Sequence, residues 1–177
     1  AAMRAANLTR ATASPSGGEI IKDERGEPTG VLIDNAEDLV YRAIPRATRE
    51  QSKAAIRAAI AEMHRWGLTG VHDAGASAET LELYDELGRE GGLNIRLYAM
   101  ISDHAATLDA WFRRGPLVGA HDGTLWVRSI KLYQDGALGS RGAALLEPYS
   151  DMATTTGLLV SPPEHIKEVA TRALRAG

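Results

Sequence analysis

Apolar residues along the chain follow two periods, and each change of period marks a new element. Thr48 and Gln51 make a capping box, after which Ala55, Ile56, Ala59, Ile60 and Met63 recur at helical spacing as far as Trp66, where Gly67 supplies a left-handed stop. The next stretch, LTGVHDAG, reads as a short strand ending in a polar turn at His72 and Asp73. Ser77 caps a second helix carrying Leu81, Tyr84 and Leu87, which Gly91 and Gly92 end. NIRLYAMI, residues 94–101, is a second strand. Asp103 opens a helix with Leu108, Trp111 and Phe112 that Gly115 and Pro116 close, and Leu125 to Leu132 is a third strand. Ser161, Pro162 and Glu164 start a last helix through Ile166, Val169, Ala170 and Leu174 to Gly177.

Upstream, AAMRAAN reads as the tail of a helix, and Thr12 to Gly18 as a Ser/Pro/Gly loop. Residues 18–34 alternate in two arms around Asp23 to Gly26, the pattern of a β-hairpin, either structural or a flap, with Pro28 keeping its second arm at an edge. Glu147 to Gly157 is irregular and long enough for a lid. Helix and strand alternate, so the strands are expected to be parallel with right-handed crossovers, an α/β chain. Three main strands do not close a (β/α) barrel, which takes eight and about 250 residues. The chain opens within a helix and stops where another strand is expected, so we expect residues 1–177 to be one partial domain of a larger protein, with unpaired strand edges that favour self-association.

Bulk properties narrow the chemistry. The length suits one globular core, and a net charge of -3 with mixed signs along every helix offers no footprint for nucleic acid. No apolar run is long enough to cross a bilayer and no leader is visible, so a soluble protein without a membrane partner is expected. The absence of cysteine excludes disulfides, iron–sulfur ligation and thiol catalysis, is compatible with a cytoplasmic address, and leaves nitrogen and oxygen to hold any metal.

The stretch VRSIKLYQDGALGSRG, residues 127–142, carries the clearest candidate site. Lys131 lies near the end of an apolar strand, and a polar loop with Gly136, Gly139 and Gly142 follows at once. A strand-end lysine can be a snorkelling residue or an ion-pair partner; the glycine loop behind it brings a ligand site level with those readings, because parallel α/β sheets build their sites at the C-terminal ends of strands. His72 and Asp73 hold a similar position on the earlier strand, although neighbours on a strand point to opposite faces and either residue could instead cap the following helix. His64, His104, His121 and His165 have no ligand spacing, and neither HxH nor HExxH occurs. The loop glycines are spaced GxxGxxG, which does not fit a dinucleotide fingerprint, and Ser140 lacks a GxSxG elbow.

Three segments in this order, GGEIIKDERGEPTGVLID, WGLTGVHDAG and IKLYQDGALGSRGAALLEPYSD, resemble the amidohydrolase superfamily, in its family 3 branch that includes N-substituted formamide deformylase. The resemblance implies strands 2 to 4 of a TIM barrel with an inserted hairpin, in a metal-dependent hydrolase of non-peptide carbon–nitrogen bonds acting on a small amide-like substrate. It implies that Lys131 is carboxylated and binds a divalent metal, zinc first. A neutral amine that takes up carbon dioxide becomes an anionic oxygen ligand, and the metal lowers the pKa of bound water toward ~7. It also implies that His72, Asp73, Asp135, Gly136 and Arg141 line the pocket. The branch's HxH, its later histidines and its general-base aspartate have no counterpart in these residues, so they are not expected to hydrolyse anything alone. The alternatives are a non-catalytic α/β module holding an anion on the glycine loop and Arg141, and a purely structural fragment.

Overall fold

The computed structural model describes residues 2–177, which form two compact units: residues 2–46 with 133–167, and residues 47–132 with 168–177. In the first unit a short helix, α1 (Ala2–Ala5), precedes an antiparallel hairpin of β1 (Gly18–Lys22) and β2 (Pro28–Asp34), and α2 (Asp38–Tyr41) follows. Asp23 makes the hairpin's turn: its Oδ1 accepts the backbone N–H groups of Arg25 and Glu27 at 2.9 and 2.8 Å, and Gly26 takes a φ of +81°. Only Ile20 is fully buried among the residues of the two arms.

Residues 133–161 of this unit fold back on themselves. The Val160 N–H donates to Gln134 O at 2.9 Å, the Gln134 side-chain amide to Ser161 O at 2.7 Å, and the Leu145 N–H to Thr156 O at 2.8 Å. Tyr149 is buried and donates its hydroxyl to Ala143 O at 2.8 Å. Gly157 has a φ of +81°, and a Cβ there would lie 1.9 Å from Ala143 O, so the chain crosses at a point only glycine permits. The irregular stretch 147–157 is therefore bonded down along its length.

The second unit is a mixed α/β layer. Helix α3 (Arg49–Arg65) leads to β3 (Gly70–Ala76), then α4 (Ala78–Arg89), β4 (Arg96–Ser102), α5 (Ala105–Arg114), β5 (Leu117–Gly119), the turn α6 (Ala120–Gly123) and β6 (Leu125–Lys131). Helix α7 (Pro163–Ala176) runs from the first unit into the second. The sheet order is β3-β4-β6-β5, with β3, β4 and β6 parallel and β5 antiparallel. The predicted capping box at Thr48 and Gln51 forms with both bonds, and Ser77 accepts the Thr80 N–H at 3.1 Å.

Leu97, Ala99 and Ile101 of β4 and Leu125 and Val127 of β6 pack with Ile60, Leu81, Leu87, Leu108 and Val169 from the helices, so one sheet face carries the core. On α3 the buried stripe differs from the expected one. Ala55 and Ala59 are exposed, while Lys53, Ile56, Ile60 and Met63 turn inward. Lys53 is buried because its amine is paired, 2.8 Å from Glu86 Oε1 and 2.6 Å from Glu90 Oε1, leaving its alkyl stem to pack. Strand β5 and α6 have no periodic signal. They exist through pairing with β6 and through His121 and Asp122, whose φ values are +52° and +55°.

Candidate active site

Cross-strand neighbours share a sheet face, so the register assigns each candidate residue. Leu97, Ala99 and Ile101 belong to the core, and Tyr98, Met100 and Ser102 lie on the opposite face. By strict alternation Lys131 would share the core face with Leu125 and Val127. It does not, because the β4–β6 register shifts: Val127 pairs with Ala99 but Ser129 pairs with Met100, leaving Arg128 as an extra residue. This bulge turns Ser129 and Lys131 onto the face away from the helices, with Lys131 opposite Ser102 at the C-terminal end of the strands. Two residues before Lys131, Ser129 Oγ is buried and has no hydrogen-bond partner among the described residues.

His72 and Asp73 are not at a turn. Strand β3 continues to Ala76, because the HDAGA segment stays extended and Gly75, at φ +127°, forms a second bulge opposite β4. His72 stacks on Tyr98 with ring centroids 4.9 Å apart, and Tyr98 pairs with Trp126, making an aromatic row on the face away from the helices. Tyr98 lies four residues before Ser102, so His72 shares the face of Lys131 but is set about 13 Å back along the strand direction. Asp73 faces the other way: its Oδ2 accepts the Tyr84 hydroxyl of α4 at 2.7 Å. Burial pushes the Tyr84 phenol well above its ordinary range, and the Asp73 carboxylate adds to the effect, so the phenol remains a donor that ties β3 to α4.

Asp135, Gly136 and Arg141 belong to the first unit. Asp135 Oδ2 accepts the Ala144 N–H at 2.9 Å. Arg141, at φ +59°, holds Asp151 through Nε at 3.2 Å and an Nη at 2.8 Å. Each raises the other's tendency to stay charged: the Asp151 carboxylate holds the guanidinium pKa up, and Arg141 holds the Asp151 carboxyl below its usual range. Five N–H groups of residues 136–144 are occupied as well. Those of Gly136, Arg141, Gly142 and Ala143 donate to Gly142, Leu138, Ala137 and Ala137 carbonyls, and that of Ala144 to Asp135. These five donors and the Arg141 guanidinium are directed to partners within the loop and to Asp151.

One acidic residue of this unit had no signal in the sequence. Asp34, the last residue of β2, has a φ of +49°, and its Oδ2 is buried without a partner among the described residues. Burial raises its pKa above the usual carboxylate range, and the Glu37 and Asp135 charges raise it further. The spacing of Gly136 and Gly142 hints at a close approach by some group, but only the tertiary structure identifies Asp34 as that group.

A model of the amidohydrolase family matches residues 1–177. The chain belongs to the amidohydrolase family. Among curated relatives of this amidohydrolase segment, "Putative amidohydrolase YtcJ" of Bacillus subtilis (strain 168) is 34% identical over 182 residues, covering 100% of this chain and 34% of that protein. N-substituted formamide deformylase of Arthrobacter pascens is 34% identical over 90 residues, 49% of this chain and 17% of that one. The crystal structure of an uncharacterized metal-dependent hydrolase from Pyrococcus horikoshii OT3 superposes with a TM-score of 0.73 at 27% identity, over 99% of this chain and 34% of that one. The amidohydrolase segment thus spans about a third of the length of relatives that it matches along its whole length.

Among the described residues no three or more His, Asp or Glu side chains gather closely enough to hold an ion. Lys131 is the one donor in this amidohydrolase segment that the resemblance implicates and the bulge turns off the core face.

Proposed function

We propose that residues 1–177 are the strand-2 to strand-4 sector of a TIM-barrel hydrolase acting on non-peptide carbon–nitrogen bonds, with Lys131 contributing one ligand to a divalent metal, zinc first. The β-bulge at Arg128 carries this reading: it takes a lysine off the core face and sets it at the C-terminal end of a parallel strand, the end at which barrel enzymes build their sites. A parallel sheet with helices packed on one face is what a barrel sector provides, its other face being the barrel's interior. The relative named for deformylating N-substituted formamides supports an amide-like substrate, and the Pyrococcus structure supports metal dependence.

As a ligand, Lys131 acts in its carboxylated form, which converts a cation into an anionic oxygen donor. The remaining donors come from outside residues 1–177. When bound, such a metal would supply an activated water and polarise a substrate carbonyl. Within this chain, Asp135 remains the acidic candidate for contact with substrate, while Arg141 serves it indirectly by tying the loop to Asp151. His72 and Asp73 belong to the surroundings of the pocket, where they are held by contacts with Tyr98 and Tyr84.

The test is metal analysis and amide hydrolysis by a full-length protein carrying this segment. Lys131→Ala is expected to lower bound metal and to abolish turnover of an N-substituted formamide. Unchanged metal content together with unchanged turnover would reject the assignment.

A further inference from the structure

Gly136 and Gly142 both have φ outside the left-handed region, so neither is glycine for backbone freedom. The same atom is the nearest obstacle to a side chain at both. A Cβ at Gly136 would lie 2.3 Å from Asp34 Oδ2, and a Cβ at Gly142 would lie 2.5 Å from the same atom. At Gly139, between them in sequence, a Cβ would meet nothing within 4 Å. The carboxylate is therefore seated at the neck of the loop and not at its tip. That neck is closed by the Gly136 N–H donating to Gly142 O at 3.1 Å and the Gly142 N–H to Ala137 O at 3.0 Å.

Asp34 is itself held from the hairpin side. It pairs with Gly18 in the β1–β2 register, and its carbonyl accepts the Glu37 N–H at 2.9 Å. The wedge is thus anchored on one element and inserted into another. Asp135 immediately precedes the neck, so any opening of Gly136 against Gly142 moves Asp135 with it.

We propose that Asp34 is a positioning residue: its carboxylate, wedged against Gly136 and Gly142, holds the neck of the loop 135–142 and fixes where Asp135 meets substrate. The substrate half of this proposal rests on the hydrolase reading above. The wedge acts through shape, so its volume matters more than its charge.

Hydrogen exchange at the Gly136 and Gly142 amides reads the neck directly in a full-length protein carrying this segment. Asp34→Ala is expected to speed exchange at both amides by about tenfold or more, because the bonds that close the neck lose their support. It is also expected to raise KM for an N-substituted formamide on the order of tenfold with kcat within about twofold, as loss of a contact made equally to substrate and transition state does. Asp34→Asn keeps the shape and is expected to restore both. Gly142→Ala alone should loosen the neck, yet add nothing in the Asp34→Ala background, where the atom it strikes is gone.

Unchanged exchange in Asp34→Ala, additive effects of the two substitutions, or a loss in kcat with KM unchanged would each overturn the proposal. If the protein hydrolyses no amide, the hydrolase reading fails by itself. Amide exchange and the two-substitution cycle then still decide whether Asp34 holds the neck.

Discussion

The two units of this chain are stabilised in different ways. In the sheet-and-helix unit, Leu83, Leu87, Leu108, Leu125 and Val127 are all but inaccessible, and periodic burial accounts for the elements. Among the described residues of the hairpin-and-loop unit, Ile20, Ala36 and Tyr149 are the fully buried hydrophobic side chains. There the chain is held by backbone bonds, by Asx-type turns, and by glycines that let one segment cross another. The comparison teaches that an apolar core tolerates its side chains in proportion to volume. A loop built on close crossings depends on single atoms.

The largest expected effect tests the core side of this comparison. Leu87→Ala empties a fully buried position and should destabilise by about 3.5 kcal/mol in a denaturant titration, the middle of the range for a core leucine. Gly157→Ala tests the other side. It forces a left-handed backbone on alanine and drives a Cβ into Ala143 O, so about 2 kcal/mol of destabilisation is expected in the same titration, although no apolar area is lost. Gly139→Ala, in open space, should fall within about 0.5 kcal/mol of the parent. If Gly139→Ala were as damaging as Gly157→Ala, the dependence on close crossings would be wrong. Loss of the cap in Thr48→Ala should cost about 1 kcal/mol and lower helicity by circular dichroism.

A smaller effect separates the units by pH, because carboxylates in the two move in opposite directions. Lys53 and Arg49 hold Glu86 below its ordinary value, so its contribution is present above about pH 4.5 and disappears as pH falls through the folded value. Glu86→Gln should therefore destabilise at neutral pH and less in acid. Asp34 is raised by burial and by Glu37 and Asp135, so the folded state favours its protonated form. That favourable term is complete below the unfolded value of about 3.8 and is lost as pH rises through the higher folded value. Asp34→Asn should stabilise at neutral pH, helped by the tolerance of asparagine for the left-handed region, with the gain shrinking on acidification. Melting curves of both variants across acid and neutral pH check the opposed signs, and parallel trends would remove this difference between the units.

The hairpin, the capping box, the parallel strands and the lysine at a strand end were legible because each rests on local pattern: turn residues, a four-residue cap, apolar runs between glycines. The inward turn of Lys53 was not, since nothing near it in sequence announces Glu86 and Glu90. Asp73 shows the same limit. The alternation rule separates it from His72, but only the packing of α4 shows that Tyr84 receives it.

Lys131 divides the two kinds of information most clearly. By itself the sequence determined the family, through motif segments in order, and the α/β class, through hydrophobic period, because both are written in neighbouring residues. Only the tertiary structure decided which way the lysine faces. Alternation from Val127 would turn it into the core, and a single extra residue at Arg128, visible only in the pairing with β4, turns it out. Likewise the sequence placed glycines at 136 and 142, but what fills the space they leave comes from a hairpin about a hundred residues earlier in the chain. Register and long-range contact are set by partners distant in sequence, and local pattern cannot encode them.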